Sequence, residues 1–156
     1  MLSIDEIIQR LVLHEGVSLK CYRCSEGFLT IGVGRNLETN PLTAEEKKVC
    51  GDYMHGITKN AAFYLLRNDI SRVLKECEKR IVIWDKLDDE RKYALLDMSF
   101  CQGIYGVLKF KKMLSSMGVG NWNDAAEHCL DSKWHTQAKN RCERIAETIR
   151  TGKWKV

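Results

Sequence analysis

Proline is nearly absent, at one residue in 156, and glycine stands at only 11. That leaves little room for a disordered or proline-stiffened linker. No apolar run approaches the roughly 20 residues that a bilayer span requires, which excludes stable membrane insertion by a helix. The first residues, M-L-S-I-D-E-I-I-Q-R-L, lack both the positive start and the long apolar stretch of a secretory signal. The expectation is a chain made in the cytoplasm, with any later work at the cell envelope needing another way out. An excess of charge of one sign is missing too. Twenty-five Lys and Arg against 21 Asp and Glu leave a net +4, which favours an anionic polymer but falls far short of the basic stripe of a nucleic-acid binder. A second C-x-x-C is absent as well. The pair Cys21 and Cys24 therefore makes at best half a zinc site, and no metal is expected.

What is present is ordinary for a globular protein, with 44% hydrophobic and 29% charged residues. The length suffices for one domain with a sizeable core, pinched into two lobes. The seven cysteines, at 21, 24, 50, 77, 101, 129 and 142, are odd in number and scattered. That is not a disulfide framework. Most fall where a small apolar residue suits a helix face, so they read as buried free thiols.

Periodicity places a first helix from Ser3, with Glu6 three residues on and an apolar stripe of Ile4, Ile7, Ile8, Leu11 and Val12. Gly16 stops it, leaving Glu15 at the helix C-terminus, where the dipole disfavours a carboxylate. From Leu19 to Leu37 the pattern turns to short strands, with Ser25-Glu26-Gly27 as the turn between them. Thr43 caps a short helix over 42–49, and Thr58 caps a long one to about Arg80. Helices are then expected over 88–101, 107–117, 123–131 and 140–151, the last ending at Gly152. The fold class is α+β, mainly α. A single domain over 1–156 would hold an N-terminal lobe at about 14–56 with a small sheet and a connecting helix at about 58–80. Its C-terminal helical lobe at about 81–156 would include helix 3–15.

Chemistry concentrates in H-E-G-V-S-L-K-C-Y-R-C-S-E-G-F-L-T-I-G-V-G-R-N. Glu15 at a helix end faces a hairpin that carries Cys24 and Thr30. Glycoside hydrolysis needs an acid for the leaving oxygen and a second group to support the oxocarbenium-like centre. Glu15 suits the first role. Cys24 stands where a second carboxylate would be expected, and is open to three readings: nucleophile, base or orienter for water, or lining residue. A free thiol is mostly protonated at neutral pH. Taken alone, Thr30 is explained as well by strand propensity as by chemistry.

The spacing of Glu15, Cys24 and Thr30 resembles the catalytic signature of the T-even phage-type lysozymes, glycoside hydrolase family 24, whose middle position is Asp or Cys. E-G-F-L-T-I-G-V-G resembles that family's active-site hairpin. A-L-L-D-M-S-F-C-Q-G, N-D-A-A-E-H-C-L-D-S-K-W, N-R-C-E-R-I and R-T-G-K-W follow in its order. The resemblance covers nearly the whole chain and implies a bilobed lysozyme-like fold. It also implies a monomeric endolysin cleaving the β-1,4 bond between N-acetylmuramic acid and N-acetylglucosamine in bacterial peptidoglycan. No cofactor is implied, and a holin-type release from the host cytoplasm is. Glu15 would be general acid, Cys24 the second catalytic group and Thr30 the positioner of water. Asn36, Phe100, Met113 and His128 would bind saccharide, and Arg141 would pair with the catalytic glutamate. Where the family carries a histidine paired with an aspartate, this chain has Arg35 and Asp69. The alternatives are a lytic transglycosylase, which needs one glutamate only, and an inactive wall-binding module.

Overall fold

The computed structural model describes residues 1–155; Val156, the last residue of the expected domain, lies outside the described residues. The chain divides into two compact units, Ile4–Ser71, and Arg72–Val156 with Met1–Ser3. The architecture is α+β and mainly helical, as the pattern predicts. None of the described helices is long and apolar enough to cross a membrane.

The first unit opens with α1, Ile4–Glu15, which buries Ile7, Ile8 and Leu11, the spacing of one helix face. Each buried aliphatic side chain there contributes about 1.5–3 kcal/mol relative to exposure. Gly16, at φ 70°, closes the helix by donating its N–H to the Val12 carbonyl at 2.8 Å. Three antiparallel strands follow, β1 (Ser18–Arg23), β2 (Leu29–Gly32) and β3 (Arg35–Asn36), in the order β1-β2-β3. Tyr22 lies opposite Thr30, Thr30 opposite Asn36, and Ile31 opposite Arg35. Next comes α2, Ala44–Cys50, opened by the full capping box of Thr43 and Glu46. The long helix α3, Lys59–Arg80, starts where Thr58 Oγ1 accepts from the Ala61 N–H at 3.1 Å. Ile31, Leu42, Cys50, Ile57, Ala61, Ala62 and Leu65 form this unit's core. Helix α1 and the three strands fall within the same compact unit, Ile4–Ser71. Asp5 pairs with Arg67 of α3 at 3.1 Å, and Glu15 lies on the hairpin.

The second unit is all helical: the end of α3, then α4 (Asp89–Gln102), α5 (Ile104–Leu108), α6 (Lys111–Gly118), α7 (Trp122–Leu130), α8 (Lys133–Gln137) and α9 (Lys139–Thr151). Asp88 caps α4, accepting from the Arg91 N–H at 3.3 Å. The helix expected over 107–117 is two, because the backbone leaves helical geometry at Phe110 (φ −77°, ψ 57°). Helix α8 was not foreseen, since five residues carry too little periodicity to register. As the spacing predicts, α9 buries Cys142, Ile145, Ala146 and Ile149 and stops at Gly152 in the left-handed region.

Candidate active site

Glu15 occupies the last position of α1, and its carboxylate rests on the turn joining β2 to β3. A Cβ placed on Gly34, whose φ is +69°, would stand 2.9 Å from Glu15 Oε2 and 3.2 Å from its carboxyl carbon. Only glycine lets the backbone come this close to the acid while holding that φ.

Cys24 sits just beyond β1 and is fixed through its backbone. Its N–H donates to the Phe28 carbonyl at 2.9 Å, and its carbonyl accepts from the Gly27 N–H at 2.8 Å. Desolvation pushes the thiol up, but hydrogen bonds from the Glu26 and Phe28 backbone and the Thr30 side chain outweigh it, so the net displacement is downward. Thr30 is buried on β2, and its hydroxyl donates to the Phe28 carbonyl at 2.8 Å. A hydroxyl has one proton, so Thr30 serves either that carbonyl or a Cys24 thiolate.

Strand alternation places Tyr22 on the Cys24 face, and cross-strand pairing sets Thr30 directly opposite Tyr22. Burial raises the Tyr22 phenol, and the charges of Glu15 and then Cys24 raise it further. One phenol thus senses both candidate catalytic groups. Sequence reasoning missed Tyr22, although its position two residues before Cys24 carried the signal. Cys21 lies on the other side, packed against the first unit's core, with its thiol 3.8 Å from the Tyr53 carbonyl. The C-x-x-C pair is divided between two faces, and no cluster able to hold a metal occurs among the described residues.

Arg35 follows Gly34 and is buried with Glu46 and Asp69. Nη2 donates to Glu46 Oε1 at 2.7 Å and to the Pro41 carbonyl at 3.3 Å. Nη1 donates to Glu46 Oε2 at 3.0 Å and lies 3.2 Å from Asp69 Oδ1, while Nε donates to the Asn40 carbonyl at 2.8 Å. The guanidinium fork holds the Glu46 carboxyl down to about 2, against the upward push of burial. Sequence reasoning paired Arg35 with Asp69. Glu46 lies outside that expectation; in the structure it also closes the capping box of α2 with Thr43.

The other expected residues are placed as follows. Asn36 Oδ1 accepts from the Glu38 and Thr39 N–H groups at 2.9 and 3.1 Å and so shapes its own loop. Phe100 is half-buried on α4. Met113 and His128 line a pocket of ≈ 620 Å³ in the second unit, with Phe110, Trp134, Lys112 and Lys133. Phe110 and Trp134 meet edge to face at 6.4 Å. The buried Trp134 Nε1 has no hydrogen-bond partner among the described residues. Arg141 Nε donates to the fully buried Asp97 at 2.6 Å, a partner that the sequence reading did not name.

The arrangement in the first unit joins a carboxylic acid, a hydrogen-bonded thiol and a hydroxyl around one small sheet, a set suited to acid-assisted cleavage at an acetal carbon. The family described as Phage lysozyme matches residues 12–148. The chain is 32% identical over 164 residues to the pre-baseplate central spike protein Gp5 of Enterobacteria phage T4, a match that takes in 97% of the chain and 28% of that protein. It thus spans little more than a quarter of the spike protein. Probable T4-type lysozyme 1 of Dictyostelium discoideum is 34% identical over 163 residues, 96% of each chain. Probable T4-type lysozyme 2 of the same organism is 30% identical over 163 residues, again 96% of each.

Proposed function

The chain belongs to the phage lysozyme family, and so to the glycosidases that act on peptidoglycan, and we propose that it hydrolyses the β-1,4 bond between N-acetylmuramic acid and N-acetylglucosamine. The observation that carries this reading is the Glu15 carboxylate lying against Gly34, in the turn that follows β2, the strand that carries Thr30 and pairs with β1, which leads into Cys24. In the proposed reaction Glu15 protonates the glycosidic oxygen as the C–O bond breaks. Cys24 takes the second catalytic position, its charged form favoured by the Glu26 and Phe28 backbone and the Thr30 side chain. Thr30 orients the incoming water through its hydroxyl. In the second unit, Met113 and His128 are assigned to substrate. Their pocket offers Trp134 as an apolar wall and Lys112 and Lys133 as partners for carboxylates.

Digestion of purified peptidoglycan followed by mass spectrometry tests the reading. Fragments ending in reducing N-acetylmuramic acid are expected, and Glu15→Gln should slow their release by roughly 10²–10⁴-fold, the range of general acid catalysis. Terminal 1,6-anhydro products would instead identify a lytic transglycosylase. Sedimentation with the wall without any release would identify a binding module.

A further inference from the structure

The turn Gly32-Val33-Gly34 is held at both ends by a single helix. At one end Gly32 packs on Ala62 of α3, a Cβ there standing 3.7 Å from the Ala62 Cα. At the other, Arg35 reaches Asp69 of the same helix at 3.2 Å. Positions 62 and 69 are two turns apart on one helix face, about 10 Å along the axis. The turn therefore bridges two fixed points of one rigid rod. On this bridge, at Gly34, rests the Glu15 carboxylate.

Arg35 is built for more than a tie to α3. A guanidinium has five N–H groups, and their acceptors come from three directions: the Asn40 and Pro41 carbonyls of the loop, both oxygens of Glu46 on α2, and Asp69 on α3. The acceptors are themselves held. Glu46 also takes the Thr43 N–H at 2.9 Å and the Asn68 amide at 3.0 Å, and Asp69 takes the Asn40 amide at 3.3 Å. Stability alone is a poor reason for such a cluster, because well-packed apolar residues of similar volume do as well or better than a buried ion pair. What a satisfied fork supplies is a rigid, planar set of donors that aims several bonds at fixed acceptors.

We propose that Arg35 is a positioning residue for the general acid: its fork anchors the residue after Gly34 to the 40–41 loop, α2 and α3, and thereby fixes the backbone against which the Glu15 carboxylate sits. The inference rests on Glu15 being that acid. Displacing an acid by about 1 Å from its attack geometry can cost on the order of 10²-fold in rate. The acid acts in the bond-breaking step, so its displacement is expected to fall on kcat.

The test compares Arg35→Lys, which keeps the charge and loses the fork, with Glu46→Gln, which keeps the shape and loses the carboxylate. Leu66→Ala, a truncation of a buried α3 side chain in the same unit, serves as a destabilised control. Each is assayed on soluble peptidoglycan oligomers at a temperature where circular dichroism shows it folded. The Glu15 carboxyl carbon resonance, assigned by its loss in Glu15→Gln, is read at one fixed pH. Both hub variants should lower kcat by about tenfold or more, with KM within about twofold of the parent, and should displace the Glu15 resonance. Leu66→Ala should change neither. Parental kcat and an unmoved resonance in the hub variants would overturn the proposal, as would losses no larger than those of the control. If Arg35→Lys does not fold, Glu46→Gln decides by the same two readings. A parent protein that releases no fragments refutes the hydrolase reading separately, while the resonance still reports whether the fork positions Glu15.

Discussion

A thiol at the second catalytic position is aided by whatever favours its charged form, and Cys24 is shifted in that direction. Backbone donors at Glu26 and Phe28 and the Thr30 hydroxyl pull against desolvation and win. Cys77, Cys129 and Cys142 are shielded by burial. Burial pushes Cys77 up to about 11, and Cys129 and Cys142 share a buried site with their sulfurs 3.8 Å apart. Iodoacetamide at mildly alkaline pH should therefore label Cys24 and the exposed Cys101 in the folded protein, leaving Cys77, Cys129 and Cys142 unlabelled until denaturant is added. Peptide mapping by mass spectrometry reads the order. In a Cys101→Ser background, activity should fall in step with Cys24 labelling; Cys24→Asp should retain substantial activity and Cys24→Ala lose most of it. Full activity in Cys24→Ala would make the thiol a lining residue.

Among the elements, the hairpin is where backbone and chemistry meet. Gly34 and Gly51 both adopt positive φ, at 69° and 64°, but only at Gly34 would a Cβ strike the catalytic candidate; at Gly51 nothing lies within 4 Å. Alanine at either position carries a positive-φ strain on the order of 1–3 kcal/mol, and Gly51, at ψ −136°, lies outside the left-handed helical well. Gly34→Ala must in addition displace the Glu15 carboxylate. Both variants should lose stability in a thermal melt, while kcat falls only in Gly34→Ala. Equal activity in the two would show that the close approach is incidental. Much at this scale was legible in the residues. Thr43, Thr58, Asp88 and Gly152 each carry a capping chemistry that works locally, and each marks its helix end as expected. The break at Phe110 and the brief α8 were not legible, since neither carries a proline, a glycine or a full helical repeat.

Across the whole molecule the buried Arg35–Glu46–Asp69 cluster links stability to pH. The Glu46 carboxyl is held near 2 in the folded chain against an ordinary value of 4.5. A depressed carboxylate contributes stability that is fully present above its unfolded value and is lost as pH falls through the folded one. For Glu46 that window runs from about 4.5 down to about 2, and linkage puts the loss at about 3 kcal/mol. Urea unfolding at neutral pH and at several points within the window should show the decline. Glu46→Gln should start less stable and decline less steeply. A parallel decline in both proteins would assign the acid sensitivity to other carboxylates.

By itself the sequence determined the longer helices and the early strands, the α+β class, and the placing of Glu15 at a helix end with Cys24 and Thr30 in the short strands that follow it. All of these depend on neighbours within a few residues, through periodicity, capping and turn chemistry. Tertiary structure alone decided which side of the sheet each cysteine faces, that Glu46 rather than Asp69 alone receives the Arg35 fork, and that Arg141 meets Asp97. It also brought Tyr22 within the field of both Glu15 and Cys24. Apart from Tyr22 and Cys24, which lie two positions apart, such contacts join residues 7 to 44 positions apart, and only packing of the intervening elements, which no local pattern encodes, closes those distances.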